Sequence, residues 1–284
     1  PLAIYALGGG SGHVVRGASL AAALAPRRVR LLVPWRLAGW ATSLAPEAEV
    51  VGLSRPASPT ALAEAVGHAL TGTFGLVLDS FPEGLLDELE GVHVRGPRLG
   101  VLRLRRDAEA PRFRRGLAAC DAVIDVEGRL DWLAAAAVRL PGIARPIADE
   151  PGDGRGEGVV LLPGGDPALQ RLLDKLGTRL AARGVAVCKP RDGEAPWRGA
   201  PRVAVGAAGY NLSYELARAG VHHLAIPRPR PFDDQRRRAE ALAEVARDPA
   251  ALEEAVIARL TSASRPPAPV EGPEALAAWV TSQL

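Results

Sequence analysis

The sequence predicts an α/β protein made of two successive domains, each a mostly parallel sheet flanked by helices. Three observations carry this. Short β-branched runs alternate with Ala/Leu-rich runs of helical period along most of the chain. The alternation breaks once, at the polar Pro/Gly stretch Pro146–Glu157, and then restarts. Each half opens with an apolar strand that runs into a glycine loop and then a helix. The 284 residues suit one large domain or two small ones, at roughly 100–200 residues per domain.

In order, Ala3–Leu7 reads as a strand and Val14–Leu24 as a helix. Val29–Pro34 and Ala48–Leu53 are strands, Pro59–Leu70 a helix and Gly75–Asp79 a strand. Gly84–Glu90 reads as a short helix, Leu99–Leu104 and Ala122–Val126 as strands, and the stretch near Leu130–Arg139 as a helix. After the linker, Gly158–Leu162 is a strand, Pro167–Arg183 a helix and Val185–Lys189 a strand. Arg202–Val205, helix Asn211–Ala219 and Val221–Ile226 follow. Helices Asp234–Ala246 and Pro249–Leu260, a Pro-rich connection Ser262–Pro273 and an amphipathic helix Glu274–Leu284 complete the chain. The expected domains are 1–146 and 147–284, with the last helix free to pack back on the first domain.

Composition narrows the function. Hydrophobic residues make up 48% and charged residues 24%, as in ordinary globular proteins, which excludes disordered and collagen-like chains. No apolar run approaches the roughly 18 residues of a membrane span. The start, Pro1-Leu2-Ala3-Ile4-Tyr5, has no basic n-region, so the expectation is a cytoplasmic chain without a secretory signal. Cys120 and Cys188 form no CxxC pair and read as free thiols. The positive charge is almost all arginine, which with the Ala, Gly and Pro content fits a GC-rich, bacterial coding sequence. A net charge of +3 with 4% aromatic residues gives no basic, aromatic-interleaved stripe for nucleic acid.

The glycine loops carry the chemistry. The first, Gly8-Gly9-Gly10-Ser11-Gly12-His13, lies between a strand and a helix, where backbone N–H groups can meet an anion. It is not a dinucleotide fingerprint. The GxGxxG spacing fails at His13, and the second strand ends in Val33-Pro34-Trp35-Arg36 without the acid that would take a ribose. Arg36 keeps an NADP reading open. The second loop, Leu162-Pro163-Gly164-Gly165-Asp166-Pro167, reads as a phosphate cradle or as a plain turn capped by Asp166. The third, Val205-Gly206-Ala207-Ala208-Gly209-Tyr210-Asn211, leads into a helix that carries Glu215, a carboxylate suited to a ribose diol. A proline loop, Pro227 to Phe232, then runs into Asp233-Asp234-Gln235 at the same edge of the sheet.

Three stretches resemble the MurG-type (family 28) glycosyltransferases: GGGSGH with the helix VVRGASLAAAL, GYNLSYELARAG, and IPRPRPFDDQRRRAEAL. The resemblance implies the GT-B architecture, two Rossmann-like domains with a ligand cleft between them. It implies transfer of a sugar from a nucleotide-sugar donor, UDP-linked in that family, to an acceptor left open, lipid-linked molecules included. Glu215 would bind the ribose. Gly209, Tyr210 and Asn211 would face the diphosphate, with Gly164 and Gly165 as a further donor-side loop. Gln235, with Asp234, would contact sugar hydroxyls. Where the family commonly has Asn three residues after that Gln, this chain has Arg238. Gly9, Gly10, Ser11 and Gly12 would face acceptor and diphosphate. Transfer would be inverting, with no cofactor and no metal.

The candidate bases are His13, at a helix N-terminus whose dipole disfavours protonation, and Asp79, at the carboxyl end of a strand. Arg16, Arg228 and Arg230 are candidates for diphosphate charge. Asp233-Asp234 is not expected to bind metal. His68, His93, His222 and His223 read as structural. The arginine runs 27–30, 103–106, 112–115 and 236–238 read as solvated faces. A basic face for anionic lipid, sought at Val101–Arg106, is the alternative and would make the chain peripheral to a membrane. A nucleotide-sugar epimerase or hydrolase, or a non-catalytic nucleotide-sugar binder, is the competing reading on the same fold.

Overall fold

The computed structural model describes residues 1–8, 10–54, 58–133, 137–145, 158–189, 201–246, 248, 251–263 and 268–284. Gly9 and the linker 146–157 lie outside the described residues. The chain divides into two compact units, Pro1–Arg145 with Glu271–Leu284, and Pro146–Val270.

The first unit runs β1 (Leu2–Tyr5), α1 (Ser11–Ala23), β2 (Val29–Pro34), α2 (Ala38–Leu44), β3 (Glu49–Leu53), α3 (Pro59–Ala69) and β4 (Gly75–Asp79). It continues through β5 (Arg98–Leu102), α4 (Pro111–Ala118), β6 (Ala122–Asp125) and β7 (Val138–Arg139). The seven strands form one parallel sheet in the order β3-β2-β1-β4-β5-β6-β7. Strands β1, β4 and β5 are buried along their whole length, as continuous apolar runs covered on both faces must be. The strand order reverses between β1 and β4, and such a switch point opens a crevice at the carboxyl ends of the strands. Helix α1 reaches the sheet through Gly17, where a Cβ would come within 2.8 Å of Ala6 Cβ and 2.9 Å of Leu31 Cδ1.

The second unit runs β8 (Val159–Leu162), α5 (Pro167–Ala182), β9 (Val187–Cys188), β10 (Val203–Gly206) and α6 (Tyr210–Arg218). Then come β11 (His222–Ala225), α7 (Gln235–Leu242), β12 (Glu244–Val245) and α8 (Leu252–Thr261). Its parallel sheet has the order β12-β11-β10-β8-β9, with the reversal between β8 and β10. Alternation along β8 builds two cores. Val159 and Leu161 pack with the α5 stripe of Leu169, Leu173, Leu176 and Leu180, while Val160 and Leu162 pack with Leu216 and Val221. Helix α9 (Pro273–Ser282) belongs to the first unit and packs on α1 through a face that buries Leu276, Trp279 and Val280.

Several expectations need correction. Gly84–Glu90 is not a helix. Gly84 (φ 88°) and Asp87 (φ 63°) adopt left-handed backbone, and the buried Glu88 carboxylate turns back to accept from Leu85 N (3.0 Å), Leu86 N (2.6 Å) and the Tyr5 hydroxyl. Around Leu130–Arg139, residues 130–133 form a turn and Val138–Arg139 is an edge strand. Helix Asp234–Ala246 stops at Leu242, so that Glu244–Val245 can pair with β11. Helices α2 and α4 were not expected. Helix α4 carries the run 112–115, and its buried face is only Phe113 and Gly116.

Candidate functional site

Two of the predicted residues meet at the first switch point. His13 is the third residue of α1, and Asp79 ends β4, the neighbour of β1 on the reversed side. His13 Nδ1 lies 2.7 Å from Asp79 Oδ2. His13 is 6% and Asp79 4% exposed. An ionised carboxylate only accepts, so Nδ1 carries the proton and Nε2 keeps its lone pair. Among the described residues Nε2 takes no hydrogen bond. Gly8 makes room for the ring, since a Cβ there would lie 2.6 Å from both Cγ and Nε2 of His13. The Phe81 ring stands 5.2 Å away, centroid to centroid. Either residue alone was a candidate base; the fold makes them one pair.

Arginines surround this pair. One turn beyond His13, Arg16 donates through Nε to Asp79 Oδ1 (3.0 Å) and through Nη2 to Oδ2 (2.8 Å). Ser80 follows Asp79 with a left-handed backbone (φ 69°), and its Oγ accepts from Arg103 Nε at 3.0 Å. Its carbonyl accepts from Arg105 Nη1 at 2.7 Å. Arg105 also pairs with Glu83 (2.9 Å) and lies over the Phe81 and Phe113 rings. The solvated-face reading of 103–106 is therefore corrected. Arg103 and Arg105 are buried because their guanidinium groups have carboxylate, hydroxyl and carbonyl partners, and Arg106 is exposed. Arg16 is likewise committed to Asp79.

The electrostatics divide the pair into an ionised and a neutral member. Burial works to raise the Asp79 carboxyl, but Arg16 and then His13 overrule it and hold it well below the usual carboxylate range. Burial pulls the His13 imidazole below its ordinary value; Asp79 opposes this, and the guanidinium groups of Arg16 and Arg103 add to it. The arrangement is a neutral, oriented imidazole, able to accept a proton at Nε2 at neutral pH.

The second unit gathers the other predicted residues at the carboxyl edge of its sheet. Helix α6 begins on Gly209 without a capping side chain, and a Cβ on Gly209 would meet nothing within 4 Å. The same holds for Gly10 ahead of Ser11 and Gly12 at the start of α1. Open, uncapped helix starts let an anion approach backbone N–H groups. Tyr210 and Asn211 form the first turn of α6, and Glu215 is buried on its next turn, 2% exposed. The second glycine loop differs. Gly164 (φ 60°) and Gly165 (φ 73°) make the left-handed turn, and Asp166 caps α5 by accepting from Ala168 N (2.9 Å) and Leu169 N (3.0 Å). Asp166 thereby takes up the Ala168 and Leu169 N–H groups at the start of α5.

The residues expected at the sugar have structural duties. Asp234 caps α7 by accepting from Arg237 N at 3.1 Å. Gln235 Oε1 accepts from Arg228 N at 3.0 Å, and Arg228 Nε donates to Asp166 at 2.8 Å. This ties the β11–α7 loop to the β8–α5 loop. Arg238 is fully buried and donates to Ala208 O (3.0 Å) and Asp233 (2.8 Å). Sequence reasoning missed Ser80, Arg103 and the role of Arg16. The signal was the i, i+3 spacing of His13 and Arg16 on one helix face.

No family model matches the chain, and no curated protein matches it. Solved structures do. The glycotransferase of kitacinnamycin is 14% identical, with a TM-score of 0.68 over 100% of this chain and 98% of its own. MurG of Acinetobacter baumannii is 12% identical, with a TM-score of 0.63 over 99% and 100%. The spinosyn rhamnosyltransferase SpnG, solved with thymidine diphosphate, is 14% identical, with a TM-score of 0.58 over 99% and 95%. The chain therefore has the GT-B fold, two parallel-sheet α/β units, along its whole described length.

Proposed function

We propose that the chain is a glycosyltransferase that moves a sugar from a pyrimidine-nucleotide donor, UDP-linked in the first instance, to an acceptor hydroxyl. The observation that carries this reading is the buried His13–Asp79 pair, 2.7 Å apart at the switch point of a GT-B sheet, with Nε2 left available. His13 Nε2 takes the acceptor proton as its oxygen attacks the anomeric carbon. The bond from that carbon to the diphosphate breaks, its electron pair leaves with the diphosphate, and configuration inverts. Asp79 stays ionised and stabilises the imidazolium through Nδ1–H.

The donor's diphosphate is assigned to the uncapped start of α6 at Gly209, and its ribose to Glu215, as the resemblance implies. Helix N-terminal N–H groups can take the leaving charge without a metal ion. The fold shared with MurG and with SpnG, the latter solved with thymidine diphosphate, supports a nucleoside diphosphate as ligand. A lipid-linked acceptor draws no support from the 103–106 run, because two of its arginines are buried. Among the described residues, no helix is long and apolar enough to cross a membrane.

Calorimetry of UDP, thymidine diphosphate, UDP-sugars and NADP tests the reading, with Glu215→Gln and Glu215→Ala alongside and circular dichroism to check folding. A pyrimidine diphosphate should bind, and folded Glu215 variants should lose it. His13→Ala should keep binding and lose transfer. Binding of NADP alone, or of no nucleotide, overturns the proposal.

A further inference from the structure

We propose that Arg16 is a positioning residue: with Ser80 it locks the Asp79 carboxylate so that His13 presents Nε2, and not Nδ1, as its basic atom. The proposal deepens the reading of His13 as the base, but its readout does not depend on turnover.

The geometry leaves Asp79 little freedom. Arg16 grips both oxygens with two adjacent nitrogens, Nε on Oδ1 (3.0 Å) and Nη2 on Oδ2 (2.8 Å), the planar fork that lysine cannot reproduce. Ser80 Oγ donates to Oδ1 at 3.3 Å. Ser80 is held by Arg103 on its hydroxyl (3.0 Å) and Arg105 on its carbonyl (2.7 Å). Those two contacts keep a left-handed backbone (φ 69°) that a non-glycine residue rarely adopts. The remaining direction on Oδ2 is filled by His13 Nδ1 at 2.7 Å. Arg16 Nη2 lies 3.3 Å from His13 Nδ1, so two donors converge on one oxygen.

The fork has a chemical consequence. Without it, a buried carboxylate beside an imidazole can take the proton itself or turn its ring partner. With it, Asp79 remains an anion in a fixed plane, and the proton arriving at Nε2 stays on the ring until it leaves to solvent or product. The groups facing His13 are Asp79 and Ser80 at the end of β4, Phe81 beyond them, Arg16 on its own helix, and Arg103 after β5. Two cations and one anion, with burial, favour the neutral ring.

The test is nitrogen-15 NMR of histidine-labelled protein, comparing wild type with Arg16→Gln, Arg16→Lys and Ser80→Ala. Wild-type His13 should show one tautomer, protonated at Nδ1, and titrate below the ordinary value of about 6.5. Arg16→Gln removes fork and charge; the tautomer should become mixed and the midpoint rise by about one pH unit. Arg16→Lys keeps the charge and loses the fork; the midpoint should stay low while the tautomer mixes. Ser80→Ala should mix it partly. A single Nδ1–H tautomer in both Arg16→Lys and Ser80→Ala overturns the proposal even if Arg16→Gln does not fold. Wild type with this tautomer but no nucleotide binding would sink the glycosyltransferase reading and leave this inference standing.

Discussion

Replacing Gly8 with alanine should disable the proposed base while sparing the rest of the protein. The new Cβ would sit 2.6 Å from Cγ and Nε2 of His13 and closer still to Cδ2, against about 3.5–4.0 Å for an ordinary contact, so the ring must retreat by more than about 1 Å. It cannot do so freely, because Nδ1 is held at 2.7 Å by Asp79 and the Phe81 ring stands at 5.2 Å. A misplacement of that size costs about 100-fold in rate, or about 2.7 kcal/mol of barrier. Gly8 is not in left-handed backbone, so alanine adds no conformational strain there. The crowding should lower stability by about 1–3 kcal/mol. The assay is steady-state release of nucleoside diphosphate from a nucleotide sugar, with calorimetry of the diphosphate in parallel. Turnover should fall about 100-fold with diphosphate affinity unchanged, since that ligand is assigned to the second unit. Turnover within threefold of wild type, or a loss that tracks lost affinity, refutes the reasoning.

Asp79→Asn leaves the Arg16 cation buried without its carboxylate and should cost about 3–5 kcal/mol in urea denaturation; a loss below 1 kcal/mol would mean Arg16 finds another partner. His13 binds its proton less tightly folded than unfolded, so its contribution to stability is full above about pH 6.5 and is lost as pH falls towards the folded value. Unfolding free energy should therefore drop below pH 6.5, and His13→Gln should flatten that slope; equal slopes would count against a buried neutral imidazole. Asp79, depressed in the folded state, adds a further loss only below about pH 4. Gly116→Ala sets a Cβ 2.6 Å from Pro82 C and 2.7 Å from Glu83 Cα, so α4 must lift off that backbone. Thermal denaturation should show a loss of about 1–3 kcal/mol, and an unchanged melting temperature would mean the segment yields freely.

Periodicity made the strands and the long helices legible. Continuous apolar runs bounded by glycine marked β1, β4, β8 and β10, and the leucine stripe marked α5. It failed where a buried polar group set the backbone. Leu85, Leu86 and Leu89 have helical spacing, yet Gly84 and Asp87 take left-handed backbone and the buried Glu88 carboxylate folds back onto the Leu85 and Leu86 N–H groups. Helix α4 was hidden because a run of arginines reads as a charged face, and its single large apolar anchor is Phe113.

The sequence by itself determined the two α/β halves, the glycine turns, the placing of His13 at a helix start and Asp79 at a strand end, and of Glu215 within the helix after the third glycine loop, because those follow from local periodicity and turn chemistry. Only the tertiary structure decided which groups meet. Strand order brings β4 beside β1, so residues 13 and 79 share one proton-bonding contact, and burial forces Arg16, Arg103 and Arg105 to find partners inside. Asp166 and Asp234 are taken up as helix caps, and the buried Gln235 holds the Arg228 N–H. Buried polar groups must be satisfied, and which partner satisfies them is a property of packing that spacing along the chain does not encode.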